Sequence, residues 1–307
     1  MPHPQHLITS TDIDKAGYDE IFRRADKFLK SGIPPHLMEG KVVGTLFFQP
    51  STRTQAAFQS AMIRSGGGWL GVTDTHQTSM DKGETLQDTV RTFGGYTDLI
   101  VLRHPQDDAT EVGASASRVP VVNGGNGNKE HALGAGMLLF NIYHFLGRLN
   151  GIKLGAYGTA EFSRAFKAMV KVLGYYGAEV FIDNLDGNFP LPKDVEAEAM
   201  KNGMKSIKYD KLDNFIGEVD WLLIPNAVPT VPITNEQKKA LADNYKPINT
   251  DHMKKLRKDA WLDMITPCVF EIEKDVYPDP RAIFTKKELH TEFALALMTY
   301  FLDIKVD

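Results

Sequence analysis

Residues 41–54 read Lys41-Val42-Val43-Gly44-Thr45-Leu46-Phe47-Phe48-Gln49-Pro50-Ser51-Thr52-Arg53-Thr54. The run 41–48 is rich in β-branched and aromatic residues and reads as a buried strand. Pro50 and the hydroxyl residues after it end that run, and Ala56, Ala57, Phe58, Ala61 and Met62 then supply the apolar face of a helix. The order is strand, hydroxyl-rich turn, helix. N–H groups in the first turn of a helix point outward unpaired, the helix dipole favours an anion there, and an arginine in that turn adds charge-assisted bonds. Ser51, Thr52, Arg53 and Thr54 therefore suit a phosphate. They can equally be read as an ordinary Ser/Thr N-cap followed by an exposed arginine, and spacing alone does not separate the two.

Working outward, the alternation continues. Residues 18–29 place Ile21, Phe22, Ala25, Phe28 and Leu29 at helical spacing. Further strands are expected at 99–102, 119–122, 153–157, 179–182 and 221–224, with helices at 133–145 and 164–173 between them. Such alternation predicts an α/β fold of two domains, each a mainly parallel sheet flanked by helices. Gly147-Arg148-Leu149-Asn150-Gly151 reads as a boundary loop. Residues 286–302 set Leu289, Phe293, Leu297, Tyr300 and Phe301 on one side and predict an amphipathic final helix.

The 307 residues, 42% hydrophobic and 24% charged, suffice for a substantial core in two domains. With 35 basic residues against 39 acidic ones and no dense basic block, no nucleic-acid partner is expected. The single cysteine, Cys268, rules out an intrachain disulfide and a cysteine-cluster metal site, and suits a reducing compartment. Neither a basic leader nor an apolar run approaching ~18 residues is present, so a cytoplasmic chain with no membrane segment is expected. The glycines at 124–127 do not form Gly-x-Gly-x-x-Gly between a strand and a helix, which sets a dinucleotide enzyme aside.

Other segments follow the Ser-Thr-Arg-Thr turn in a telling order: Met80-Asp81-Lys82-Gly83-Glu84-Thr85, Leu102-Arg103-His104-Pro105, Asn123 through His131, Gly147-Arg148-Leu149, and Tyr157-Gly158 through Ser163-Arg164. In this order, over nearly the whole chain, they resemble the aspartate and ornithine carbamoyltransferase family, the first half more the aspartate branch. The resemblance implies a carbamoyl phosphate-binding domain at 1–132, joined by a C-terminal helix at 286–307, and an amino acid acceptor-binding domain at 133–285. It implies carbamoyl phosphate and an amine-bearing carboxylate as substrates, no metal or organic cofactor, and a homotrimer with active sites shared between subunits. Carried over residue by residue, Ser51, Thr52, Arg53, Thr54 and Arg103 would hold the phosphate. His131 would contact the carbamoyl carbonyl oxygen, and Ser79 and Lys82 would reach in from a neighbouring subunit. Alone, Arg103 reads as a surface arginine, His131 as a loop histidine and Lys82 as a solvated charge; their common order favours the functional reading.

The departures from the family pattern cluster. The aspartate branch reads His-Pro-Thr-Gln where this chain has His131-Ala132-Leu133-Gly134, so the glutamine that helps bind the carbamoyl amino group is absent. Gln49 and Gln55 replace a glutamate and an arginine, removing a carboxylate that would pair with Arg164. Asn226 matches the position of an arginine that pairs with the acceptor's side-chain carboxylate, and brings no charge. Thr266, Pro267 and Cys268 stand in the loop that carries a second family arginine, with Cys268 at its position and read as a small pocket-lining residue. Arg164 would bind the acceptor's α-carboxylate. Two readings follow: a carbamoyltransferase whose acceptor has one carboxylate rather than two, or a non-catalytic homologue acting as a binding or assembly subunit.

Overall fold

The computed structural model describes residues 5–74, 78–225, 233–285 and 289–306. Asn226 and the start of the expected C-terminal helix, residues 286–288, lie outside the described residues. The strands are β1 (Val42–Phe47), β2 (Gly68–Val72), β3 (Leu99–His104), β4 (Val121–Asn126), β5 (Lys153–Tyr157), β6 (Glu179–Asp183), β7 (Ser206–Tyr209), β8 (Trp221–Ile224) and β9 (Trp261–Met264). The helices are α1 (Lys15–Ser31), α2 (Arg53–Arg64), α3 (Leu86–Phe93), α4 (Ala109–Ala116), α5 (Ala132–Leu146), α6 (Arg164–Leu173), α7 (Lys193–Lys201), α8 (Leu212–Phe215), α9 (Asn235–Asn244), α10 (Thr250–Lys255) and α11 (His290–Phe301).

Two compact units result, Met1–Asn141 with Glu288–Asp307, and Ile142–Lys287. The boundary between these compact units falls inside α5, whose Gly136 and Phe140 pack against Phe293 and Phe22 of the first unit. The first unit holds a parallel sheet in the order β2-β1-β3-β4, the second a parallel sheet in the order β7-β6-β5-β8-β9. Strands β2, β7 and β9, each at a sheet edge, escape the sequence reading. An edge strand pairs on one side only and needs no continuous apolar run; β2 and β7 are mostly exposed or half-buried. β4 also runs four residues beyond its expected end, through Asn123-Gly124-Gly125-Asn126, all buried.

In the first unit, α1 starts at Asp14, whose carboxylate accepts the Gly17 N–H at 2.8 Å, and ends at Gly32 in a conformation with φ 80°. Its buried face meets α11, which differs from the expected amphipathic helix. Phe293 through Thr299 and Phe301 are all buried, because α11 packs between α1 and α2. Phe22 of α1, Phe140 of α5 and Phe293 of α11 form an aromatic trio with ring centroids 5.9 to 6.3 Å apart. Gly136 makes room for it: a Cβ there would lie 2.5 Å from the Phe293 ring. A second cluster, including Leu46, Val90, Ile100, Leu102 and Val121, forms where α3 and α4 pack together and α4 packs on β3 and β4.

The second unit centres on Phe181, Phe189, Phe215, Leu222, Ile224, Leu262 and Met264. Its strand β5 starts beside a buried carboxylate, Asp220, which accepts from Arg148 at 2.9 Å, Arg257 at 3.1 Å and the Lys153 N–H at 3.0 Å. Among the described residues no helix is long and apolar enough to cross a membrane, and no group of three or more His, Cys, Asp or Glu could hold a metal ion.

Candidate active site

Parallel strands direct their carboxyl ends to one edge of a sheet, where the following loops can build a ligand site. In the first unit Ser51 to Thr54 follow β1, Ser79 and Lys82 follow β2, Arg103 stands near the end of β3 and His131 follows β4. All the candidate residues of this unit thus leave the same edge. Phe47 is level with Arg103 across the β1–β3 ladder, and the Phe48 N–H continues the pairing to the Arg103 carbonyl at 2.8 Å.

The turn after β1 is not an ordinary capped helix start. Thr52 has helical backbone angles (φ −76°, ψ −54°) and its hydroxyl makes no capping hydrogen bond, which weighs against the plain N-cap reading. The Thr54 side chain is buried, Ser51 is half-buried, and Thr52 and Arg53 are exposed.

Arg103 is placed by an irregularity in the β3–β4 ladder, whose register shifts between Leu102 and His104. Bulges of this kind re-aim a side chain. Opposite it lie Gly124 and Gly125, the latter at φ 115°, and a Cβ on Gly124 would sit 3.2 Å from the Leu102 carbonyl oxygen. Arg103 Nη1 donates to the Gly124 carbonyl at 3.1 Å, while its buried Nε has no acceptor. Burial holds the guanidinium below its ordinary pKa, and the neighbouring Arg53 guanidinium acts the same way. Two like charges are thus held together with a buried donor unsatisfied, an arrangement that an anion would relieve.

The loop between β4 and α5 is fastened from several sides. Asn126 Nδ2 donates to the Asp107 carbonyl at 2.7 Å, and the Asn128 N–H to the Asp107 carboxylate at 2.8 Å. The Asn126 N–H donates to the Glu130 carbonyl at 3.1 Å, and the Ser10 N–H to the Glu130 carboxylate at 3.2 Å. His104, which the sequence reading left without a role, ties β3 to this loop. Its carbonyl accepts the Gly127 N–H at 3.0 Å, its Nδ1 accepts the Gln106 N–H at 3.1 Å, and its ring meets Phe48 edge-on at 5.5 Å. Burial lowers its pKa, with the Asp108 carboxylate opposing. Its signal in the sequence was its place beside Arg103.

His131 stands immediately before α5, and its Nδ1 accepts the Gly134 N–H at 3.1 Å. That bond assigns the imidazole proton to Nε2 in the neutral ring. A Cβ on Gly134 would lie 2.9 Å from both Cγ and Cδ2 of the same ring. Glycine at 134 is therefore more than a missing amide: the imidazole rests where a side chain would begin. Ser79 and Lys82 lie on an exposed 3-10 turn, with the Thr78 hydroxyl accepting the Met80 N–H at 3.3 Å.

In the second unit Arg164 opens α6 after β5, with the Ser163 hydroxyl accepting the Phe166 N–H at 3.4 Å. Thr266, Pro267 and Cys268 follow β9, with the Thr266–Pro267 bond cis. Strands β5, β8 and β9 are neighbours, so both groups leave the same edge of the second sheet. Cys268 is half-buried; its side chain beside Tyr277, burial and the Glu271 carboxylate push the Tyr277 phenol up to about 12. Glu271 and Tyr277 also escaped the sequence reading.

Residues 5–142 match the family model for the aspartate/ornithine carbamoyltransferase carbamoyl-P binding domain. The chain is 32% identical to the aspartate carbamoyltransferase catalytic subunit of Clostridium novyi (strain NT), over 94% of each chain. It is also 32% identical to the same subunit of Methanocaldococcus jannaschii, over 93% of this chain and 94% of that one. Among solved structures, the catalytic subunit of M. jannaschii aspartate transcarbamoylase superposes with a TM-score of 0.86, at 30% identity and 98% coverage of both chains. Trypanosoma cruzi aspartate transcarbamoylase, solved in complex with carbamoyl phosphate and aspartate, gives 0.84 at 26% identity, covering 96% of this chain and 94% of that one. The chain belongs to the aspartate/ornithine carbamoyltransferase family, as an aspartate carbamoyltransferase-like enzyme.

Proposed function

We propose that the enzyme moves the carbamoyl group of carbamoyl phosphate to the amino group of an acceptor carrying one carboxylate. The observation that carries the first half is Arg103, its buried Nε without an acceptor and its charge set beside that of Arg53. A phosphate oxygen would satisfy both groups and pair with two guanidiniums. The start of α2, with Ser51, Thr52 and Thr54, supplies further donors to the same phosphate.

In the reaction the acceptor's amine attacks the carbamoyl carbon, and negative charge grows on the carbonyl oxygen. The bond to the bridging oxygen then breaks, the phosphate leaves with that electron pair, and the phosphate itself can take the proton lost by nitrogen. His131 Nε2–H would donate to the carbonyl oxygen as its charge grows; Arg53 and Arg103 would stabilise the leaving phosphate. Residues 1–132 with the final helix supply the carbamoyl phosphate half, and 133–285 the acceptor half. Arg164 would pair with the α-carboxylate. Asn226 and Cys268 stand at positions where the aspartate branch has arginines, so a second carboxylate loses its cationic partners. In a homotrimer, Ser79 and Lys82 would complete a neighbour's site.

The test is ureido product formation from carbonyl-labelled carbamoyl phosphate against a panel of amino acids, with Arg53→Ala as control. Product from a monocarboxylate acceptor, lost in the control, is expected; product unaffected by Arg53→Ala would overturn the assignment of the phosphate site.

A further inference from the structure

The loop after β9 carries one buried carboxylate, Glu271, whose Oε2 accepts the Val269 N–H at 2.6 Å and the Phe270 N–H at 2.9 Å. These two donors lie next to Cys268, where the aspartate branch would extend an arginine. Both are consumed inside the loop. The Cys268 side chain lies beside the Tyr277 phenol. Glu271 has no exposed surface, and its negative charge bears on the phenols of both Tyr245 and Tyr277.

Outward the loop turns apolar groups at Val269, Phe270 and Tyr277, with the charged and exposed Glu273, Lys274 and Asp275 between them. Val269 is 66% exposed, Phe270 43% and Tyr277 38%, three of the nine exposed large hydrophobic side chains among the described residues. Single exposed apolar groups are ordinary, but these fall within nine positions of sequence. Phe270 meets Tyr245 edge-on at 5.6 Å, and Cys268 packs against the core of this unit.

We propose that the acceptor's side chain is uncharged and apolar, seated against Val269, Phe270 and Tyr277, and that Glu271 determines this preference by occupying the loop's two N–H donors. The inference rests on the carbamoyl transfer reading above. A second carboxylate on the acceptor finds no donor at Val269 or Phe270 and meets the charge of Glu271 behind them. A cationic side chain feels a favourable charge but cannot reach it through the loop backbone, and loses hydration against the apolar surface. An alkyl chain gains by covering that surface.

The experiment measures ureido product formation with L-alanine, L-norvaline, L-leucine, L-aspartate and L-ornithine, on the wild-type enzyme, Glu271→Gln and Cys268→Arg. Binding of inorganic phosphate and of phosphonoacetamide, a stable carbamoyl phosphate mimic, is measured calorimetrically on each protein. For the wild type, kcat/KM rises from alanine to norvaline and exceeds that for aspartate and ornithine by roughly tenfold or more. Glu271→Gln removes the charge and leaves the two N–H groups on a weaker, neutral acceptor, lowering KM for aspartate by roughly tenfold with little change in kcat. Cys268→Arg shifts preference towards aspartate in the same way. Wild-type preference for aspartate or ornithine, or phosphonoacetamide binding with no neutral acceptor reacting, overturns the inference while the phosphate site stands. An unchanged aspartate-to-norvaline ratio in Glu271→Gln overturns the role of Glu271. Failure of the wild type to bind either phosphate compound defeats the underlying reading as well.

Discussion

Replacing Gly134 by alanine separates the position of the His131 ring from the stability of the fold. The new Cβ would start 2.9 Å from two imidazole carbons, and ordinary carbon contacts begin at about 3.5 Å, so the ring must retreat by about half an ångström or more. Retreat breaks the bond from the Gly134 N–H to Nδ1, a helix cap contributing about 1 kcal/mol. Alanine in a helix offsets this by up to about 1 kcal/mol relative to glycine. The net change in stability is close to zero, and Tm should move by less than about 3 °C. Activity should not be spared. An oxyanion donor contributes about 10²- to 10³-fold, and a displacement on the order of 1 Å costs about 10²-fold, so kcat should fall by roughly 30-fold or more. Phosphonoacetamide should bind about tenfold more weakly through loss of one hydrogen bond, while inorganic phosphate, which has no carbonyl, binds as before. Gly134→Gln, which restores the residue of the aspartate branch, should behave like alanine rather than improve the enzyme. Thermal melts, initial rates and calorimetry read these effects. Full kcat and unchanged phosphonoacetamide affinity in Gly134→Ala would refute the interlock of ring and glycine.

Arg53→Gln should weaken inorganic phosphate binding by roughly tenfold to 100-fold, as a charge-assisted bond is lost, without lowering the unliganded Tm, because the repulsion on Arg103 is relieved; a large drop in Tm would show that the two charges are already neutralised. Burial lowers the pKa of His104 below its ordinary 6.5, so between the two values the unfolded chain binds more protons than the folded one. Its contribution is complete above about pH 6.5 and is lost as pH falls further. Melting curves between pH 5 and 8 should therefore slope downward on the acid side, and His104→Asn, whose Oδ1 can still accept from Gln106, should flatten part of that slope; parallel curves would contradict this. Asp220→Ala leaves Arg148 and Arg257 facing each other and should cost about 2 to 3 kcal/mol by urea denaturation, the low end for a broken buried pair because both arginines reach solvent. A loss below about 1 kcal/mol would show that this network contributes little.

Much of the architecture was legible because interior strands carry their own signal: β1, β3, β5, β6 and β8 are apolar runs paired on both sides. The edge strands β2 and β7 were not, since half-exposed pairing leaves only a weak pattern, and β9, though buried, is only four residues long with Asp263 interrupting its apolar run. For α11 the spacing suggested one apolar face, yet the helix is buried nearly all round, and Ala294 and Ala296 are too small to announce it. The candidate phosphate residues were grouped in advance through the ordered resemblance to the carbamoyltransferase family, and in the structure they leave one edge of the first sheet. Their charge relations could not, since Arg103 comes under the charge of Arg53 at a register shift in the β3–β4 ladder whose glycines read as a loop. Gly134 registered as an absent amide, and the ring seated over it is a matter of packing. Glu271 gave no signal because its role is to capture two backbone groups in its own loop.

The most direct measurement is the initial rate of ureido acid formation from labelled carbamoyl phosphate, with L-norvaline and L-aspartate offered separately at equal concentration to the wild-type enzyme and to Arg53→Ala. The structure predicts product with norvaline, at least roughly tenfold less with aspartate, and a loss of about 10²-fold or more in the variant. Faster reaction with aspartate would contradict the reading of the acceptor loop, and product formation undiminished in Arg53→Ala would contradict the phosphate site on which the proposed function stands.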